Sequence, residues 1–396
     1  MTHTRKLSRG ASALAGKARG VASLLRRKLA QAPTAETLEL TAPEVVANPF
    51  PCYEALRGSG SVHFLPRHDF WLVLGYDDVN AALMQPQLFS NRVRDYRQVD
   101  GVLLGADPPE HATARRAVSH FFSAQALTAQ APFAERTAER LLRPLLDGAE
   151  FEVLRDFASP LVEEVIAHLI GLDKETLAAM RAAPGSAGDL ESLFASFDSI
   201  IEAAAERTPL CDQLVREGGG VIPRAHARSL IRLLWVAGTT TTRRSVSSSV
   251  LLLLRHPGVR ERVASEPSLL PAFVEESIRL HPPEHMLSRA AAVETELSGV
   301  KIPAGATVKL CVAAANRDPS RFDRPESLLL GRAPNRQLSF GGGTHRCVGA
   351  ALARMEAATA LRVLLRLAPD FRSARPLDTL RFVGFANDTE RLEIKC

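Results

Sequence analysis

The chain is short of the residues that staple a fold or span a membrane. It has five cysteines, Cys52, Cys211, Cys311, Cys347 and Cys396, an odd number at wide and irregular spacing. No C-x2-C pair occurs, so neither a structural zinc site nor a disulfide framework is expected. A reducing compartment fits, and the cytoplasm is the expected location. No run of about 18 apolar residues occurs, which excludes a membrane-spanning helix. No Gly-Lys-Ser/Thr follows any glycine-rich stretch, which excludes a phosphate-binding loop. Acid is missing from the N-terminal segment. Residues 1–35 hold eight basic residues (Arg5, Lys6, Arg9, Lys17, Arg19, Arg26, Arg27, Lys28) and no Asp or Glu.

That asymmetry explains the net charge of +5. Without the eight, 41 of the 49 basic residues remain against 44 acids. The excess charge therefore belongs to a tail, which argues against nucleic acid as a partner. Within the tail, Leu14, Ala18, Val21, Leu25 and Leu29 repeat at helical spacing among the basic residues. Such a segment can lie on an anionic membrane surface, giving peripheral contact through residues 1–35. The alternative is a solvated, flexible extension.

The rest is ordinary globular sequence, 46% hydrophobic over the 396-residue chain, enough for a large core. Apolar residues at three- and four-residue spacing predict helices over Glu110–Phe122, Phe133–Leu146, Leu161–Ile170, Ala225–Leu254, Pro271–Leu280 and Ala350–Leu367. Strand-like pieces are short: Val62–Phe64, Trp71–Leu74, Val300–Ile302 and Thr307–Leu310. The turn at Ile302–Ala306 predicts a hairpin between the last two. The expected organisation is an extension over residues 1–39 and one mainly helical domain with small β-sheets over 40–396.

One stretch carries chemistry. Phe340-Gly341-Gly342-Gly343-Thr344-His345-Arg346-Cys347-Val348-Gly349 combines a single cysteine, a glycine-rich approach and a helix-like run after it. That is how a chain presents one thiolate to a metal. Backbone N–H groups, a helix N-terminus and the metal itself all lower a thiol pKa from its usual value of about 8.5. The spacing Phe-Gly-x-Gly-x-His-x-Cys-x-Gly resembles the haem-binding loop of the cytochrome P-450 family. The resemblance implies haem b with Cys347 as axial thiolate ligand, and a helical triangular prism with small β-sheets. Thiolate ligation favours O–O cleavage. Gly349 would let the following helix approach the porphyrin.

Further residues match the family one by one. His111 and Arg115, at i,i+4 after Pro108-Pro109, resemble its propionate-binding helix. Arg289 matches a propionate ligand on a strand, and His345 is a further cation within the loop. Glu276-Ser277-Ile278-Arg279 matches the Glu-x-x-Arg helix, and Arg332 the third member of its ion cluster. That cluster would brace the loop and do no chemistry. Asn48–Arg57, Trp71–Val79 and Ala315–Pro319 look like soluble bacterial members.

Leu233-Leu234-Trp235-Val236-Ala237-Gly238-Thr239-Thr240-Thr241-Thr242 resembles the family's distal helix. Ala237-Gly238 would leave room for oxygen and loosen the helix. Thr241 matches the threonine that assists protonation during oxygen activation. The usual acid before it is replaced by Thr240, which cannot ionise. A water chain, a polar substrate group, or peroxide as oxidant would each compensate. Arg243 and Arg244 are unusual so close to the site and would turn away or meet an acid.

The activity this implies is haem-thiolate monooxygenation of a small, lipophilic, secondary-metabolite type substrate. Electrons would come from a ferredoxin and its reductase, since no flavin or iron–sulfur segment is visible. Arg116, Arg346 and Arg354 are candidates for its docking face. The substrate-lining segments would be Val93–Leu104 and Ala182–Leu210. A peroxygenase and a haem sensor or auxiliary protein without turnover are the other readings.

Overall fold

A computed structural model describes residues 34–99, 101–148, 150–182, 200, 209–217, 222–377, 382–383, 388–389 and 391–396. The basic tail and most of Ala182–Leu210 lie outside the described residues. The architecture is helical with small sheets, as expected.

Its axis is the helix Arg224–Arg255. Leu230, Leu233, Leu234 and Trp235, then Val246, Val250 and Leu253, are all buried and lie on several faces. A helix buried on several faces, with small hydroxyl residues such as Ser247 and Ser248 buried among the apolar ones, has little side to give to water and sits at the centre. Helices Ser159–Ile170, Leu270–Leu280 and Ala350–Leu367 pack against it. Helix Ala124–Leu146 packs on two of these, Ser159–Ile170 and Ala350–Leu367. Ser249 Oγ shares a 2.7 Å hydrogen bond with Ser277 Oγ, so the central helix is also pinned through polar groups beside Glu276.

Helix Ala124–Leu146 is longer than the predicted Phe133–Leu146. Pro132 reads as a break, since proline removes one backbone donor. Burial of Leu127, Gln130 and Ala134 carries the helix through it. Ser123 caps the true start, its Oγ accepting from Ala126 N at 3.2 Å. The segment Glu110–Phe122 divides into a helix, Glu110–Ser119, and a 3-10 turn, His120–Phe122.

The main sheet is built from β1 (Val62–Leu65), β2 (Phe70–Val73), β3 (Phe89–Ser90), β5 (Met286–Ala291) and β8 (Thr307–Cys311). Its order is β1–β2–β8–β5–β3. Strand β4 (Phe151–Glu152) joins a second sheet with Arg372–Ser373 and Glu393–Lys395. The predicted hairpin is wrong. Strand β7 (Val300–Ile302) pairs with β6 (Thr295–Leu297), and β8 runs parallel to β2 and antiparallel to β5. Ser298 and Gly299 both have positive φ, 46° and 77°, the two-residue turn that suits strand twist. Val308 and Leu310 are fully buried, which draws β8 into the sheet interior.

Candidate active site

Cys347 stands at the end of a loop closed by its own N–H, which donates to Phe340 O at 2.8 Å. The helix behind it starts at Ala350 with Gly349 as N-cap, and the Gly349 N–H points to the sulfur. Gly343 has φ +58°, and a Cβ there would sit 2.6 Å from Leu83 O. The glycines are thus demanded by close packing on helix Tyr76–Met84 as much as by the sulfur. The exposed surface of Cys347 faces a cavity and not bulk solvent. Desolvation therefore raises the thiol pKa, while the Gly349 N–H, Arg115, Arg354 and Arg346 oppose it.

Basic groups crowd the cavity next to this thiol. His111, Arg115, Arg289 and His345 all line it. The His111 and His345 rings lie 4.2 Å apart. Burial, then His111 and Arg289, push His345 down to about 3. Burial and Arg115 lower His111, and burial lowers Arg289. Arg115 is lowered by burial as well. His345 Nε2 is buried without a hydrogen-bond partner. Four basic side chains whose charged forms burial disfavours fit a site built for an anion; Asp107 is the one acid acting on His111, Arg289 and His345 in the opposite sense. A haem with two propionates and an iron over Cys347 matches this donor set.

The ion cluster assembles around Glu276, which is 1% exposed. Its Oε1 accepts from Arg279 Nε at 2.6 Å, Arg332 Nε at 3.0 Å and Asn335 Nδ2 at 3.0 Å. Its Oε2 accepts from Arg279 Nη2 at 3.0 Å and Leu329 N at 2.9 Å. Arg279 also donates to the carbonyls of Asn316, Pro325 and Ser327. A buried charge is tolerable only when so fully satisfied. Asn335 is a member that sequence spacing does not reveal.

Arg354 is not a free docking cation. It forms an ion pair with Glu275 and lies 4.2 Å over the Phe340 ring. It anchors the loop to the Glu276 helix. Arg116 and Arg346 are exposed.

The central helix also lines the cavity, with Ala237, Gly238, Thr241, Thr242 and Ser245. Thr241 Oγ1 donates to Ala237 O at 2.9 Å. Thr240 does not line the cavity; its Oγ1 donates to Val236 O at 2.8 Å. The helix runs unbroken through Ala237-Gly238, so the expected loosening is absent. Gly238 has a packing reason instead, since a Cβ would lie 3.0 Å from Ile166 Cδ1. Arg244 meets an acid: its Nη1 donates to Glu284 Oε1 at 2.6 Å.

From the Val93–Leu104 segment, Tyr96, Leu103 and Leu104 reach the cavity. Asp95 instead pairs with Lys309 and accepts from Ser288 Oγ at 2.5 Å. Tyr96 falls in the segment expected to line the cavity and Ile166 on a predicted helix, but which face of each meets the cavity is set by tertiary packing; Glu284, a single acid in a loop, carries no signal at all.

A mainly helical chain with one cysteine thiol under a cavity, ringed by basic side chains and braced by a buried Glu–Arg–Arg cluster, has the architecture of a haem-thiolate protein. The family model described as Cytochrome P450 matches residues 206–368. The putative cytochrome P450 YjiB of Bacillus subtilis is 31% identical over 347 residues, covering 81% of this chain and 88% of that protein. The myxobacterial cytochrome P450 CYP267B1, solved in complex with myristic acid, superposes with a TM-score of 0.81 at 32% identity, over 90% of this chain and 98% of that one. P450BioI, solved with an acyl carrier protein ligated to hexadec-9Z-enoic acid, gives 0.79 at 28% identity, over 89% and 99%. The chain belongs to the cytochrome P450 family. It is a cytochrome P450 monooxygenase, an oxidoreductase whose family carries haem on a cysteine thiolate.

Proposed function

We propose that the protein inserts one oxygen atom from O2 into a small lipophilic molecule, with electrons supplied by a ferredoxin. The supporting observation is the juxtaposition of the Cys347 thiol with His111, Arg115, Arg289 and His345 on one cavity wall. Bound haem supplies the oxygen chemistry: O2, two electrons and two protons give one inserted oxygen atom and one water. Cys347 holds the iron; Arg289, Arg115, His111 and His345 hold the propionates; Phe340 and Gly349 shape the loop. The Glu276–Arg279–Arg332 cluster keeps the loop in place and touches neither haem nor substrate.

Thr241 passes a proton through its hydroxyl, switching its donation from Ala237 O. Thr240 acts on the helix backbone, and the acid it replaces has no substitute on its own turn. Leu103, Leu104, Leu233, Leu234, Ile166 and Leu287 give the cavity an apolar lining, which supports a lipophilic substrate. Three neighbours bind such molecules: myristic acid, a hexadecenoyl chain and, in CYP109E1, testosterone. Exposed Arg346, next to the thiol, and exposed Arg116, next to Arg115, suit an acidic electron donor. Among the described residues no helix is long and apolar enough to cross a membrane.

The test is the carbon monoxide difference spectrum of the reduced, haem-loaded protein. A thiolate-type Soret band is expected, and its loss in Cys347→Ser. A band of the neutral-histidine type would overturn the assignment. Product formation with a surrogate ferredoxin system, against peroxide alone, then separates monooxygenase from peroxygenase.

A further inference from the structure

The cavity wall carries one carboxylate among the described residues. Glu284 follows Pro282-Pro283, just beyond the helix that holds Glu276 and just before β5. Apart from the Cys347 thiol, the other lining residues are apolar, hydroxyl-bearing, amide or basic. Placing a carboxylate against leucines costs free energy unless it is paired. Arg244 supplies the partner at 2.6 Å, from the central helix, three residues after Thr241. Spacing of i,i+3 puts Arg244 and Thr241 on neighbouring positions of one helix face. The Arg244 side chain is mostly covered, while that of Glu284 is 45% exposed. The cation thus stands behind and the carboxylate is presented.

We infer that Glu284 is a substrate-recognition residue that accepts a hydrogen bond from a hydroxyl or N–H group on an otherwise apolar substrate. This rests on the proposed monooxygenase reading and names the class of molecule it acts on. A carboxylate has about four acceptor positions and no donor, so it can serve Arg244 and a ligand together. Arg244 already balances the charge, so a neutral donor suits the site and a full cation is not required. An acceptor-only ligand meets a lone pair with a lone pair. A substrate held there lies beside the helix turn that carries Thr241 and Ser245, with its apolar body toward Leu233, Leu234 and Leu104.

The experiment is a set of binding titrations on the haem-loaded protein, read by the ligand-induced absorbance change and by equilibrium dialysis. The probes share one body and differ in donor: 1-adamantanol, its methyl ether and 2-adamantanone. The alcohol is expected to bind about tenfold tighter than either, the scale of one hydrogen bond to a charged group. Glu284→Leu is expected to reduce the preference below about twofold. Should that variant fold poorly with Arg244 left behind, the pair Glu284→Leu with Arg244→Leu removes both charges. Equal binding of the three probes to wild type overturns the inference. So does a preference that survives the double substitution, or no measurable binding of the alcohol. A normal thiolate-type carbon monoxide spectrum in the same samples shows that such a failure concerns Glu284 and not the haem-thiolate reading.

Discussion

Arg115 Nη1 donates to the carbonyl oxygen of Arg346 at 2.6 Å, joining the Glu110–Ser119 helix to the residue immediately before the proposed ligand cysteine. The proposed propionate contact and the loop position would therefore be coupled through one side chain. Arg115→Leu removes both the cation and the loop contact. Haem loss to a scavenger globin is expected to accelerate roughly tenfold or more, since hydrogen bonds from charged groups contribute about 1.5–3 kcal/mol. Arg115→Lys keeps the charge but not the fork and is expected to fall between. An unchanged rate in Arg115→Leu would remove Arg115 from the site.

Glu276 gathers five hydrogen bonds from four residues in a buried position. Glu276→Ala leaves Arg279, which is fully buried, without its carboxylate. Breaking a buried pair this way costs about 3–5 kcal/mol. The urea midpoint should fall accordingly, and haem content with it. A loss below about 1 kcal/mol, the range of an exposed pair, would show the cluster to be dispensable.

Much of this was legible in the sequence, for identifiable reasons. The Cys347 loop and the Glu276–Arg279 pair are local: their spacing alone puts the groups together. Arg332 and Arg289 were reachable only through a family resemblance, because each meets its neighbours across the fold. The β7–β8 hairpin failed because two strands close in sequence had better partners elsewhere. Pro132 hid one turn after another of helix, since tertiary burial overrode a local breaker. Arg354 looked like surface charge until Glu275, 79 positions away, came into contact. Glu284 was invisible because nothing in a single acid marks it as facing a cavity.

Thr241 is the one hydroxyl of the run Thr239–Thr241 that lines the cavity. Thr241→Ala is expected to lower product formed per NADPH consumed by about tenfold. That is less than the roughly 10²-fold minimum for a full proton donor, because a hydroxyl relays and water can take its place. Thr240→Glu restores an ionisable group on the adjacent position and is expected to raise coupling. Thr240 faces away from the cavity, so the gain depends on water reaching both groups. If neither substitution changes coupling, proton delivery does not pass along this helix.

Glu356, on the Ala350–Leu367 helix, is 1% exposed, and its Oε1 has no hydrogen-bond partner among the described residues. Burial alone raises its pKa well above the usual 4.5. The folded protein thus keeps a proton that the unfolded chain releases once the pH passes about 4.5. Over that window the native state binds more protons, so stability falls as pH rises, by at most about 1.4 kcal/mol per pH unit. The contribution is fully present below the unfolded value and is lost as pH climbs toward the folded one. Glu356→Gln cannot ionise and keeps a similar shape. Its urea midpoint should therefore match wild type near pH 5 and exceed it increasingly toward pH 8. Parallel stability curves across that range would mean that Glu356 is ionised in the fold and held by a partner charge.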